Sequence, residues 1–324
     1  MIRRRTILAS GAAVLAMPAL AQPVFNRPLR IIVPFAPGGS SDILARLMAP
    51  KLGEALGQSV VVENRTGANG HIGAEAVARS QPDGHTMLIT DVSSLAIAPS
   101  LLRNMSYEPL KDLAPVTMVA FAPYIFGAHP SVPATDLPSF VAHAKANPGK
   151  LNLAHSGVGS ANHLTGIVLA KHFGFTWEYV PYRGGAAAIQ GVVANECQAL
   201  LNGATATQPF VVSGQLRGIA VSGADRLAAL SETKNFGELG LPKLLVESGT
   251  WQGILATGGT PAPAVAALHR AITGVLADAA IAERINQIGG AVRTMQPGAF
   301  GEWLAGSTRD WGSVVRENNV TIES

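Results

Sequence analysis

Cysteine is nearly absent: Cys197 is the single one in 324 residues. No intramolecular disulfide can form, and the paired-cysteine patterns of structural zinc sites are excluded. Such a thiol reads as a small buried hydrophobe rather than a nucleophile. Charge is sparse too, at 14% Asp, Glu, Lys and Arg against 48% hydrophobic residues. That balance excludes a disordered or coiled chain, and 35 glycines with 21 prolines mark a turn-rich globular one. No stretch reaches the ~20 apolar residues that a membrane span needs. Catalytic signatures are missing as well. There is no G-x-S-x-G elbow, no Walker-type G-K-[ST] and no H-E-x-x-H pair, and Gly157-x-Gly159-x-x-Asn162 lacks the third glycine of a dinucleotide fingerprint.

What is present begins with a leader. Arg3-Arg4-Arg5 precede an apolar, Ala-rich run from Ile7 to Leu20, and Ala19-Leu20-Ala21 is a small-x-small cleavage site. Export with cleavage after Ala21, to the periplasm, is the expectation. Arg4-Arg5-Thr6-Ile7-Leu8 fits a twin-arginine signal and an ordinary secretory one equally. The leader holds three of the 24 Lys and Arg and none of the 21 Asp and Glu. The mature chain is therefore formally neutral and makes no case for nucleic acid as a partner.

A chain of this length with this much apolar residue suggests two domains. From Arg27 to about Phe121, strands and helices alternate. Leu29–Val33, Ser59–Glu63 and Thr86–Thr90 read as strands. Ile43, Leu44, Leu47, Met48, Leu52 and Leu56 recur at helical spacing, with a break expected near Pro50 and Gly53. Asn64 to Gly73 reads as a Gly-rich loop before a helix around Glu75–Ala78. This order predicts a parallel sheet covered on both faces. Val116 to Ala128 is strand-like but interrupted at Ala122-Pro123, the expected crossing into a second domain.

The stretch Pro34-Phe35-Ala36-Pro37-Gly38-Gly39-Ser40-Ser41-Asp42 joins a strand to a helix start. Glycines let a ligand approach the backbone, and unpaired N–H groups at a helix start attract anions. The same residues also make a tight turn capped by Ser41 or Asp42. The plan recurs at His155–His163 and at Tyr179–Ala186, and a cleft between such loops is a natural ligand site. Arg183 is either a partner for a ligand carboxylate or a surface ion-pair residue. His155 and His163 flank Ser156 and Ser160 without an evident acid, which leaves a secreted serine hydrolase as a rival reading. Trp177, Trp251, Trp303 and Trp311 read as core.

These segments, with Val62–Gly70, Pro82-Asp83-Gly84-His85-Thr86 and Pro181-Tyr182-Arg183-Gly184-Gly185, carry a family resemblance. The chain resembles the substrate-binding proteins of tripartite tricarboxylate transporters, the Bug family of periplasmic receptors, from about Arg27 to near its C-terminus. The resemblance implies an α/β fold of the type II periplasmic-binding-protein kind. Two lobes, 22–124 with 251–324 and 125–250, would be joined by crossing strands and close on a ligand. It implies no catalysis, cofactor or metal, a small organic acid as ligand, a membrane permease or sensor kinase as partner, and a monomer. Carried over by position, the ligand residues would be Phe35, Ala36, Gly38, Gly39, Ser40 and Asp42, then Ser156, Gly157, Ser160, His163, Gly185 and Ala186, with Thr90-Asp91 a weaker candidate. Asp42 would hold the loop rather than touch the anion. Gln198 stands where the family often has Asp, which would alter the far end of the pocket.

Overall fold

The computed structural model describes residues 24–102 and 105–321. The leader lies outside them. Among the described residues ten strands form one sheet: β1 Leu29–Val33, β2 Val60–Asn64, β3 Thr86–Thr90, β4 Leu113–Ala128, β5 Asn152–His155, β6 Glu178–Pro181, β7 Ala199–Gly203, β8 Arg217–Val221, β9 Gly249–Thr257 and β10 Ala291–Val292. Their order is β2-β1-β3-β9-β4-β7-β5-β6, with β8 and β10 also on β4.

The parallel sheet expected from the strand–helix alternation is correct only within each half. There β1 is parallel to β2 and β3, and β5 to β6 and β7. The middle is antiparallel, β3 to β9, β9 to β4 and β4 to β7. The reason is direction of travel: β4 carries the chain out of the first lobe and β9 brings it back.

The expected interruption at Ala122-Pro123 does not occur. β4 is a single 16-residue strand, about 50 Å long at the usual rise. It pairs with β9 from Leu113 to Pro123 and with β7 from Tyr124 to Ala128. Pro123, which cannot donate to a ladder, sits where β4 changes partners. The bends are taken up instead by register shifts near Thr117 and Ala120. Opposite Pro123, Gly249 is required by crowding, since a Cβ there would lie 2.6 Å from the Phe121 ring and 2.7 Å from the Ala122 carbonyl oxygen.

Two helix boundaries also differ from expectation. The helix Ser40–Leu56 runs unbroken through Pro50. One hydrogen bond is lost there, but Leu44, Met48 and Leu52 are fully buried on the inner face and hold both halves in place. The helix His71–Ala78 starts earlier than the Gly-rich composition suggested. Gly73 belongs to it because the helix presses on the first loop, where a Cβ would lie 2.7 Å from Pro34.

The first-lobe core packs Leu29, Ile31 and Val33 of β1 against Leu44, Met48 and Leu52 of the helix Ser40–Leu56 and against Leu268 and Ile272 of the helix Ala262–Leu276. In the second lobe Phe126, Phe140, Phe175 and Trp177 make an edge-to-face cluster with ring centroids 4.7–6.3 Å apart. The C-terminal helix Pro297–Glu317 buries Phe300, Leu304 and Trp311, and Trp251 of β9 meets Trp303 at 4.9 Å. Trp177, Trp251 and Trp311 are buried and Trp303 partly so, in line with their core assignment. Cys197 is likewise buried.

Candidate functional site

β4 and β9 lie between two cavities, and their alternation decides what each cavity sees. Tyr124, Thr250 and Gln252 face a narrow cleft between the lobes, with a cavity of about 40 Å³. Phe121, Pro123, Gly249 and Trp251 face a wider open groove on the reverse side.

The cleft is shut by loops that meet across it. A Cβ on Gly38 would lie 3.9 Å from the Ala186 methyl, and one on Gly203 would lie 3.0 Å from the Ser40 hydroxyl. The Ala161 N–H of the second lobe donates to Ser93 Oγ of the first at 3.3 Å.

Among the described residues four helices begin at this cleft: Ser40–Leu56, Ala161–Phe173, Gly185–Val193 and Ala204–Val212. Their N-cap residues Gly39, Ser160, Gly184 and Gly203 make no side-chain capping bond. The helices that do carry side-chain caps, Leu137–Ala146 on Asp136 and Ala279–Gln287 on Asp278, start elsewhere. Gly39, Ser40, Ser41 and Gly185 line the cleft directly, so bare N–H groups and positive dipole ends are directed toward it. No Lys, Arg or His side chain is among its lining residues. Such a site can hold an anion by neutral donors alone.

The first loop is fastened from behind by Asp42. Its carboxylate accepts from the Gly38 N–H at 3.0 Å, from Arg46 Nε at 3.0 Å and from Asn64 Nδ2 at 2.9 Å. Asn64 also donates to the Phe35 carbonyl at 3.0 Å. Burial pushes the Asp42 pKa up, but the bonds from Arg46, Gly38 and Asn64 outweigh it and hold the carboxyl below its ordinary range. Asp42 does not line the cleft. It shapes the loop, the role its place in the sequence implied.

The second loop rests on a histidine pair. His155 and His163 stack at 4.3 Å, with Tyr179 edge-on to His163 at 5.0 Å. Burial pushes His155 down to about 4, and burial together with His155 pushes His163 to about 3, so both are neutral. His163 Nδ1 accepts from the Gly159 N–H at 3.1 Å, and His155 Nδ1 lies 2.9 Å from the Gly157 carbonyl oxygen. The serines bond to Asn162 instead: Ser160 Oγ donates to its Oδ1 at 2.5 Å, and Ser156 Oγ accepts from its Nδ2 at 2.9 Å. Among the described residues neither serine is hydrogen-bonded to either histidine, so the Ser–His hydrogen bond that the hydrolase reading demands is not formed.

Of the positions named from sequence, Phe35, Gly39, Ser40, Ser156 and Gly185 line the cleft. Ala36 and Gly38 lie in the loop that closes over it, and Ala186, in the first turn of the helix Gly185–Val193, faces Gly38 from the other lobe. Gly157 packs against Asn69, and Ser160 and His163 are buried one layer behind. Thr90 is turned inward onto Ser94 Oγ at 2.6 Å, whereas its neighbour Asp91 lines the cleft. Arg183 is exposed and does not line it. The concern over Gln198 is also corrected. Gln198 precedes the start of β7, where its side chain accepts from the Asn152 N–H at 3.1 Å, whereas Asn202 lines the cleft near the strand's other end.

Sequence reasoning missed Tyr124, Asn202, Thr250 and Gln252. The available signal was a polar side chain inside an apolar strand, and for Asn202 a fourth strand–Gly–helix junction at Gly203.

Two α/β lobes joined by long crossing strands, closed on a polar cleft, define a periplasmic solute-binding receptor. The chain belongs to the tripartite tricarboxylate transporter family receptors, whose model matches residues 44–320. Protein BugT of Bordetella pertussis (strain Tohama I) is 32% identical over 314 residues, 97% of this chain and 96% of that one. The periplasmic binding protein BugD superposes with a TM-score of 0.86 at 32% identity, over 91% of this chain and 99% of BugD. The structure of R. palustris Rpa4515 with adipate superposes with a TM-score of 0.87 at 28% identity, over 91% and 99% of the two chains.

Proposed function

We propose that this protein captures a small carboxylate-bearing metabolite in the periplasm and presents it, lobes closed, to the membrane permease of a tripartite tricarboxylate-type transporter. It acts as a monomer after cleavage at Ala21. The observation that carries this reading is the convergence of helix N-termini on a cleft without a cationic side chain, with Gly39, Ser40, Ser41 and Gly185 on its wall and no side-chain cap on the helices Ser40–Leu56 and Gly185–Val193. The adipate held by the related R. palustris protein supports an acid as ligand. The ligand contacts fall to Phe35, Gly39, Ser40, Ser156 and Gly185, with Ala36, Gly38, Gly157 and Ala186 shaping the rim.

The lobes divide where β4 changes partners, residues 22–124 with 251–324 against 125–250. A ligand drives closure only if it contacts both lobes, because only differential affinity shifts the balance. Bending at β4 and β9 that opens the cleft narrows the reverse groove.

The test begins with native mass spectrometry of the purified protein for a carried acid, followed by calorimetry on a panel of mono-, di- and tricarboxylates. Gly39→Val is the accompanying variant. A Cβ at Gly39 meets only the Ala36 carbonyl oxygen, at 3.5 Å, so the fold tolerates it while the added methyls enter the cleft. Lost binding with an unchanged melting temperature supports the reading. Unchanged affinity removes the first loop from the site, and ester or amide turnover dependent on Ser156 or Ser160 would replace the receptor with an enzyme.

A further inference from the structure

The cleft wall carries one ionisable carboxyl and no cation to match it. Asp91 follows β3 and lines the cavity. The Ser93 N–H donates to its Oδ1 at 2.9 Å, and no salt bridge to it is formed among the described residues. On the neighbouring strand β9, where Gly253 stands opposite Thr90, Gln252 Oε1 accepts from the Ser41 hydroxyl at 2.7 Å, while its Nε2 is buried without a partner among the described residues. The site therefore has two chemically distinct parts. Helix N-termini offer N–H donors and positive potential suited to a carboxylate. Asp91 offers an acceptor that repels a second negative group. A carboxylate left unpaired in a closed, largely desolvated space is costly, and an opposite charge brought by the ligand offsets that cost.

We propose that the ligand is a small zwitterion, a carboxylic acid bearing an ammonium group. Its carboxylate sits on the loop and helix starts, and its ammonium sits on Asp91. This rests on the receptor reading above and narrows its substrate class. The groups around Asp91 fit it. Tyr124, from β4, is the titratable side chain facing it, and burial with the Asp91 charge pushes that phenol well above its ordinary range. Asp42 is turned away onto Arg46 and Asn64, and His155 and His163 lie behind the second loop, off the cavity wall. Burial raises Asp91 to about 6, so it is mostly ionised at neutral pH and titrates within reach of experiment.

The rival within the same site is a plain dicarboxylate bound to protonated Asp91, which would then donate a hydrogen bond. The pH dependences have opposite signs. Zwitterion binding weakens as pH falls through about 6 and Asp91 gains its proton. Dicarboxylate binding strengthens over the same interval.

Calorimetry on matched pairs separates them: alanine against propionate, aspartate against succinate, glutamate against glutarate, each at about pH 8 and about pH 5. The expected result is an advantage of about tenfold or more for the ammonium-bearing member of at least one pair at the higher pH. That advantage shrinks at the lower pH and disappears in Asp91→Asn. Equal or tighter binding of the plain acid, strengthening toward low pH, overturns the zwitterion and leaves the receptor standing. Failure of the six acids to bind, with a tricarboxylate or aromatic acid bound, also overturns it alone. Failure of every acid at both pH values removes both readings. The wild-type pH profile decides between the ligand classes even if Asp91→Asn does not fold.

Discussion

Asp42→Asn isolates what holds the first loop in shape. The carboxylate takes three donors at once, from Gly38, Arg46 and Asn64. An amide in its place has one acceptor oxygen and sets an N–H₂ against a donor. Hydrogen bonds to a buried charge are worth about 1.5–3 kcal/mol each. The Arg46 side chain is half exposed, 52% against 5% for Asp42, so its share is closer to the ~0.5 kcal/mol of a surface pair. The bonds from Gly38 and Asn64 therefore dominate, and the variant should lose about 2–4 kcal/mol. In a chain of this size that is a fall in Tm of roughly 4–10 °C. Arg46→Ala should lose about 0.5 kcal/mol and Asn64→Ala about 1–2 kcal/mol. Urea unfolding of the three variants and of the Asp42→Asn/Asn64→Ala double gives the ladder, with a coupling of about 1 kcal/mol expected in the cycle. Because the folded pKa of Asp42 is depressed, its stabilisation is present above the unfolded value and is lost as pH falls through the folded one. The difference between wild type and variant should then shrink in acid. Equal stability of wild type and Asp42→Asn at neutral pH would refute the view that this carboxylate fastens the loop.

Three further outcomes follow from the same physics. His155 and His163 are buried neutral with depressed pKa values, so stability should fall as pH drops from about 6.5 toward about 4 and then about 3, by up to one proton's slope for each, and His163→Gln should flatten part of that slope. Phe300→Ala should cost about 3–5 kcal/mol in urea unfolding, because Phe300 is fully buried against Gly253 and Trp251 and the C-terminal helix cannot collapse into the gap. Cys197 should react slowly with a disulfide reagent in the native protein and rapidly in denaturant, since burial raises its thiol pKa and the Tyr182 hydroxyl lies 3.6 Å from its sulfur.

The loops around the cleft were legible because their geometry is local. A strand ending in Gly38-Gly39, Ser156-Gly157 or Gly184-Gly185 and passing into a helix start needs only neighbouring residues to make an uncapped N-terminus. Asp42 could be assigned to loop support for the same reason, since Gly38 and Arg46 lie four residues to either side. Pro123 misled because a proline signals a strand break when the partners are unknown, and here it stands at a change of partners. Gln198 misled because residue position along β7 was readable while the end of the strand that meets the cleft was not.

The sequence by itself determined the strand–loop–helix units and the family, since each depends on residue order over short distances. Only the tertiary structure decided what the cleft contains. Tyr124, Asn202, Thr250 and Gln252 reach it from strands far apart in the chain, and alternation along β4 and β9 turns Trp251 to the reverse groove and Gln252 to the cleft. Asp91 acquires its meaning in the same way. A carboxyl after a strand is ordinary until folding sets it on the wall of a cleft, beside helix starts and, among the described residues, with no salt-bridge partner, and the zwitterion proposal rests on that placement.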